Sequence, residues 1–110
     1  MSTRASYTFE ESYREVVVYK HHDGYPEGAA RWVSRAYDKE SVGLNITPES
    51  FIRANQKVRI TDKPHGDEQY RYFITGDEIV VKYREIRNET PKWEKIFDGT
   101  MNEFFEKYLR

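Results

Sequence analysis

The chain contains no cysteine among its 110 residues. This absence excludes a disulfide-stabilised scaffold, a zinc site with thiolate ligands and a cysteine nucleophile, and it favours a reducing compartment. Long hydrophobic runs are absent too, because the longest covers only Val16 to Tyr19, far below the roughly 20 residues that a membrane span needs. No signal peptide is recognisable, so we expect a cytoplasmic protein without a membrane contact.

An excess of charge of one sign is also missing, since 18 basic side chains stand against 19 acidic ones. This balance provides no overall field to attract nucleic acid, so any such binding would need a local patch. With 37% hydrophobic and 34% charged residues, the composition predicts one small domain over residues 1–110 with a modest core.

The first half of the chain predicts a strand followed by a helix. Residues 1–12 are mostly small, polar or charged, and we expect them to form a loose N-terminal arm. Three valines from Val16 to Val18 predict a buried strand. Pro26 suits a first helical turn, and apolar residues then recur at spacings of three and four. These positions are Ala29, Trp32, Val33, Ala36 and Tyr37.

The second half predicts mainly strands. A short helix after Thr47 and Pro48 precedes a strand at 58–61. Another strand is expected around 93–97, and its Trp93 is most simply a core residue. Thr100 and Glu103 have the spacing of a capping box and predict a terminal helix. The whole order predicts an α+β fold, with an antiparallel sheet of four to five strands and two to three helices packed mainly on one face.

A β-hairpin is the clearest local signal. Two alternating runs between residues 69 and 86 flank Gly76 and Asp77, a pair that suits a two-residue turn. Pairing Thr75 with Glu78 aligns apolar residues, many of them tyrosines, on one face. The other face then carries cations and an aromatic ring, which are the ingredients of a nucleic-acid surface. These residues are Arg71, Phe73, Lys82 and Arg84; a solvated sheet face is the simpler interpretation.

Titratable groups concentrate in residues 19–28, Tyr-Lys-His-His-Asp-Gly-Tyr-Pro-Glu-Gly, where the first strand turns into the first helix. The simplest interpretation is a structural turn. A second interpretation is that amides at the helix start bind a phosphate, a carboxylate or a nucleotide with help from nearby cations. The candidate ligand-binding residues are Lys20, His21, Asp23, Gly24, Tyr25, Glu27 and Arg31. The charge of Glu27 opposes anion binding in the same turn.

A third interpretation is a metal-dependent hydrolase or nuclease that uses His21, His22, Asp23 and Glu27. Adjacent residues leaving a strand point to opposite sides, so His21 and His22 cannot easily share one ion. We therefore predict no metal site, no catalytic residue and no cofactor, and we expect a protein that is not an enzyme.

The same ten residues resemble the Tyr-Arg-His-x-Asp-Gly-Tyr-Pro-Glu-Gly signature of small uncharacterised proteins from phages and bacterial genomes. Lys20 stands where that family has arginine. The similarity extends to the Phe97-Asp98-Gly99-Thr100 segment that precedes Glu103 and Phe104. The resemblance implies a phage or mobile-element setting and no established activity.

The leading functional hypothesis is a non-enzymatic binding protein that acts by protein–protein contact, because the chain is small and 15% aromatic. With the phage-like resemblance, an inhibitor of a host defence system such as an anti-CRISPR is one concrete form. The alternatives are the binder of a small anionic or nucleotide ligand and the metal-dependent hydrolase described above. Nucleic acid is a weaker candidate partner, and the aromatic content is compatible with a homodimer.

Overall fold

A computed structural model of the protein describes residues 3–10, 14–20, 24–39, 51–52, 59–61, 68–85 and 92–109. The described residues form six strands and two helices. The strands are β1 (Ala5–Glu10), β2 (Glu15–Lys20), β3 (Arg59–Thr61), β4 (Tyr70–Thr75), β5 (Glu78–Tyr83) and β6 (Glu94–Thr100). The helices are α1 (Pro26–Lys39) and α2 (Met101–Tyr108). Phe51 and Ile52 are also helical.

The six strands form one sheet in the order β3-β2-β1-β4-β5-β6. Four of the neighbouring pairs are antiparallel, and β1 pairs with β4 in parallel. The α+β prediction is confirmed, but the sheet is mixed, so the prediction of a purely antiparallel sheet of four to five strands is wrong. The additional strand and the parallel pair both come from β1.

The expectation of a loose N-terminal arm is wrong for residues 5–10, because β1 lies in the middle of the sheet. Ala5, Tyr7 and Phe9 alternate with Ser6 and Thr8, and all five are buried. This alternation is the pattern of a strand, but the segment contains so many small and polar residues that it resembles a loop. The apolar side chains of β1 are buried on one face of the sheet, and this burial favours a central position of β1.

The core lies on one face of the sheet, called here the core face. The side chains of Tyr7 and Phe9 contact Phe51, with ring centroids 4.7 and 5.5 Å away. Both described helices contribute buried residues to the same cluster. Its members are Ala5, Tyr7, Phe9, Val18, Ala29, Ala30, Val33, Ala36, Phe51, Tyr72, Ile74, Ile79, Val81, Met101 and Phe104. The predicted inward positions of α1 are confirmed at Ala29, Val33 and Ala36; the side chain of Tyr37 lies outside the described residues.

The hairpin prediction is confirmed in its register, since Thr75 pairs with Glu78 and Tyr72 with Val81. Gly76 has a φ of 59°, which a residue with a β-branched side chain adopts only with strain. The capping box of α2 is also confirmed, because Glu103 N–H donates to Thr100 Oγ1 over 3.1 Å and Thr100 N–H donates to Glu103 Oε1 over 2.8 Å. Met101 N–H then donates to the Asp77 carbonyl over 2.7 Å, which anchors α2 at the hairpin end.

The opposite side of the sheet, called here the second face, changes character across its width. In β1 and β2 most of its residues are buried, including Ser6, Thr8 and Tyr19, and only Glu10 and Glu15 at one end are exposed. In β4 and β5 the corresponding side chains, such as Arg71 and Lys82, are only half-buried. The hairpin half of this face is therefore accessible to solvent. The helices in the described ranges are all too short or too polar to cross a membrane.

Candidate binding surfaces

The turn between β2 and α1 is tied to the start of β1 by Gly24. Its N–H donates to the Thr3 carbonyl over 2.9 Å, and its own carbonyl accepts a hydrogen bond from Tyr72 Oη. A Cβ at position 24 would lie 2.7 Å from the Ala5 Cβ. Glycine is therefore required here by the close approach of two backbone segments, which is a structural role.

Tyr72 holds this turn from the core face. Burial raises the pKa of its phenol well above the ordinary value, and the neighbouring Tyr7 adds to the rise. The Tyr7 and Tyr72 rings stack with centroids 4.8 Å apart. The phenol therefore keeps its proton near neutral pH and donates it to the Gly24 carbonyl.

The described side chains of the predicted ligand site make separate contacts. Lys20 is buried under α1, with Nζ 4.1 Å from the centre of the Trp32 ring. Arg31 is exposed and its Nη2 donates to Tyr25 Oη over 3.3 Å. Glu27 is exposed in the first turn of α1. The structure thus distributes these side chains around the helix start and does not collect the two cations at one point.

The remaining members of the predicted ligand site, His21 and Asp23, lie outside the described residues, as does His22 of the metal hypothesis. The anion-binding and metal hypotheses both depend on them and stay predictions. Within the ranges that the structure describes, no group of three His, Asp or Glu side chains is arranged to hold a metal ion.

A second candidate site lies on the open half of the second face, and we call it the cation–aromatic surface. Its members are Arg71, Phe73, Lys82, Arg84 and Trp93. Two guanidinium groups lie over the Trp93 ring, with the Arg71 Cζ 4.2 Å and the Arg84 Cζ 4.7 Å from its centre. The Lys82 Nζ lies 5.4 Å from the centre of the Phe73 ring. Cations and rings are therefore interleaved, as the hairpin register predicts.

Glu68 positions both guanidinium groups from beneath. Its side chain is fully buried, and its Oε1 accepts hydrogen bonds from Arg71 Nε and Nη2, each over 2.9 Å. Its main-chain carbonyl accepts from Arg84 Nε over 3.0 Å. A buried carboxylate is costly unless it is paired, so this arrangement holds the two arginines in a defined geometry. Among the described residues, Oε2 of Glu68 has no hydrogen-bond partner.

Acidic groups border the cation–aromatic surface. Lys95 lies beside Lys82 in the sheet and forms an exposed ion pair with Asp98 over 3.0 Å. At the hairpin end, Glu10 Oε2 accepts from Thr75 Oγ1 over 3.2 Å, and Glu78 is exposed. The surface is therefore positively charged at the end that carries Arg71 and Arg84, and carboxylates border it toward the hairpin end.

The sequence predicted that four of the five members of this surface share one face. It did not find the fifth member, Trp93, or the buried Glu68 that orients the arginines. Trp93 was assigned to the core, because the pattern gives no way to place a ring that follows a connection between strands. Glu68 precedes β4 and shows no periodicity of its own. The period-two alternation of β4 and β5 is the signal that found Arg71, Phe73 and Lys82.

Comparisons with known proteins leave the interpretation to the residues themselves. No protein-family model matches this chain. The searches of curated proteins and of solved structures find no match either.

Proposed function

We propose that the protein acts by binding a partner protein through the cation–aromatic surface. The observation that supports this proposal is the Trp93 ring, which lies beneath two oriented guanidinium groups on an accessible sheet face. Tryptophan and arginine are the residues most enriched at the energetic centres of protein interfaces. Glu68 orients Arg71 and Arg84 before a partner binds. This orientation reduces the side-chain entropy that is lost on association.

The charge pattern favours a protein over a nucleic acid. Arg71 is already paired with Glu68, and Asp98 and Glu78 border the surface. A nucleic-acid strand presents a phosphate at every nucleotide and would meet these carboxylates. A protein partner offers carboxylates beside apolar groups and fits a surface of cations bordered by carboxylates better. The expected partner surface thus combines acidic and aromatic side chains.

An inhibitor of a host defence system, such as an anti-CRISPR, is the specific form of this proposal that the phage-like resemblance supports. In that role the cation–aromatic surface occupies a functional face of the host protein. The proposal of protein contact stands independently of this specific form.

The test uses two arginine variants that make the same local change at the two tryptophans. Arg84→Ala removes a guanidinium from Trp93, and Arg35→Ala removes one whose Cζ lies 4.8 Å from the centre of the Trp32 ring. Each variant and the parent are used to capture partners from host-cell lysate, after thermal melts show that all three are folded. We expect a stoichiometric protein with the parent and with Arg35→Ala, and its loss with Arg84→Ala.

Equal capture by all three proteins would contradict the proposal. A second measurement separates nucleic acid from protein: titration of a fluorescent single-stranded oligonucleotide at two salt concentrations. Binding that weakens steeply with salt and depends on Arg84 would assign the surface to nucleic acid instead.

A further inference from the structure

A different group of residues meets on the core face, at the end of the sheet where β1 and β4 begin. Ala5 pairs with Tyr70, and Tyr70 pairs with Tyr83. Because Gly24 is bonded to Thr3, the first turn of α1 is held above this end. Glu27 lies in that turn.

Helix α2 reaches the same place from the opposite direction. It begins at the hairpin end, where Met101 is bonded to Asp77, and its eight residues span about 12 Å. Phe104 and Tyr108 both pack on Phe97 of β6, with ring centroids 5.5 and 5.9 Å away, so the helix runs back over the sheet. Tyr108 in its last turn therefore lies near the end that carries Tyr70 and Tyr83. Contacts between α1 and α2 close the space between the two helices.

The three tyrosines at this end, Tyr70, Tyr83 and Tyr108, are each half-buried, so each keeps part of its surface accessible to solvent. The Tyr70 and Tyr83 rings are inclined at 46° with centroids 5.0 Å apart, so they form two adjoining walls. Tyr83 Oη donates to Glu85 Oε2 over 3.1 Å. The Tyr108 ring packs on Phe104 with centroids 5.2 Å apart, which fixes its orientation.

Charged groups of both signs lie near these rings. The pKa of Tyr70 is raised by burial first and then by Tyr83 and by the carboxylate of Glu27. The pKa of Tyr108 is raised by burial and by the same carboxylate. The geometry agrees with this common influence, because Gly24 is bonded both to Thr3 and to Tyr72 Oη, which holds the first turn of α1 with Glu27 over this end of the sheet. The cation of Lys107 is 5.5 Å from the centre of the Tyr108 ring, so the ring already attracts positive charge.

We infer that Glu27, Tyr70, Tyr83 and Tyr108 form a binding site for an organic cation, a substituted ammonium or a guanidinium group. Aromatic faces attract such cations through their quadrupoles, and a carboxylate at the rim supplies the counter-charge. Phosphate or carboxylate ligands are disfavoured by Glu27 and Glu85. The site lies on the opposite side of the sheet from the cation–aromatic surface, so it is independent of the proposed function.

The first test compares two probes that differ only in charge. Choline is titrated into the folded protein while the ring-proton resonances of the tyrosines are followed by NMR. Its uncharged isostere, in which a tert-butyl group replaces the trimethylammonium group, is titrated in parallel. We expect choline to shift the resonances of Tyr70, Tyr83 and Tyr108, and the isostere to bind at least about tenfold more weakly.

The second test varies the site. Tyr70→Leu removes a wall and should weaken choline binding by about tenfold, whereas Tyr70→Phe keeps the ring and should stay within about twofold. Glu27→Gln should weaken binding about threefold. The matched control is Glu15→Gln, which neutralises an exposed carboxylate of β2 outside the group defined above and should leave binding unchanged.

A third titration, with acetyl-arginine amide, identifies the chemical class within the same site. Tighter binding of choline assigns it to substituted ammonium groups, and tighter binding of the arginine derivative assigns it to guanidinium groups, including arginine side chains of proteins. The inference is overturned when neither probe shifts the tyrosine resonances, when the isostere binds as well as choline, or when Tyr70→Leu has no effect. None of these outcomes depends on Arg84 or Trp93.

Discussion

The two tryptophans of the chain have the same local chemistry and different surroundings. Trp32 lies beside Lys20 and Arg35, and Trp93 lies beside Arg71 and Arg84. Trp32 packs against the core cluster on the core face. Trp93 lies on the second face and, in the part of the chain that the structure describes, is not packed against that cluster.

This comparison shows that a cation beside a tryptophan does not by itself indicate a binding surface. At Trp32 the neighbouring lysine, Lys20, is buried beneath the helix that carries the ring. The contact therefore covers the edge of the core and is not accessible to a partner. At Trp93 the side chain of Arg71 keeps 27% of its surface exposed, so the contact builds an accessible platform. The side of the sheet on which the ring lies decides between the two roles.

Truncating each ring to alanine should give the largest difference in stability between the two tryptophan sites. Trp32→Ala should destabilise the fold by about 3 kcal/mol, because it opens a cavity at the core edge. Trp93→Ala should cost about 1 kcal/mol, because it removes cation–π contacts on an accessible face. Urea denaturation followed by circular dichroism measures both. Equal losses of stability would show that Trp93 belongs to the core as much as Trp32 does.

Neutralising Glu68 tests what holds the Trp93 platform together. Glu68→Gln keeps the shape of the side chain and removes the charge that pairs with Arg71, so we expect a loss of about 2 kcal/mol. Glu106→Gln, at an exposed position of α2, should change stability by less than about 0.5 kcal/mol. The Trp93 contribution to fluorescence should also shift in Glu68→Gln. A change no larger than that of the control would mean that Glu68 is not needed to orient the arginines.

Local sequence patterns predicted the elements whose signals are short-range. The turn at Gly76, the hairpin register and the capping box of Thr100 each depend on residues close in sequence. The position of β1 depends on distant partners, because Ala5 pairs both with Lys20 and with Tyr70. A six-residue strand with two small polar residues carries too weak a pattern to reveal such pairing.

The candidate sites follow the same rule. The alternation of Arg71 and Phe73 along β4 predicted that their side chains share a face. The placement of Glu27 and Tyr108 over the end of the sheet that carries Tyr70 was not predicted, since it requires the positions of two helices on the sheet. The roles that the sequence suggested for His21 and Asp23 fall on residues that the structure does not describe.

Removing the Tyr72 hydroxyl tests the hydrogen bond that joins the core face to the Gly24 turn. Tyr72→Phe leaves the Gly24 carbonyl without this donor and should cost about 1 kcal/mol at neutral pH. The raised pKa of Tyr72 means that the folded state holds the phenol proton more tightly than the unfolded chain. The contribution of this phenol to stability should therefore be constant below roughly pH 10 and be lost as the pH rises further.

The phenylalanine variant lacks this contribution, so its stability should fall less steeply at alkaline pH than that of the parent. Tyr70 and Tyr108, whose pKa values are also raised, remain and keep part of the dependence. Urea midpoints measured at neutral and alkaline pH give the difference. Identical slopes for the two proteins would show that the Tyr72 phenol does not contribute to the alkaline loss of stability.

The smallest expected difference compares the same contact at the two tryptophans. Arg35 is exposed, so Arg35→Ala should lower stability by less than about 0.5 kcal/mol. Arg84 also donates to the Glu68 carbonyl, so Arg84→Ala should cost about 1 kcal/mol. Arg84→Lys keeps a cation near Trp93 but loses the Nε–H donor, and it should fall between the parent and Arg84→Ala. A loss of stability for Arg35→Ala as large as that for Arg84→Ala would mean that the contact with the ring dominates at both sites. The hydrogen bond from Arg84 to the Glu68 carbonyl would then not distinguish the two tryptophans.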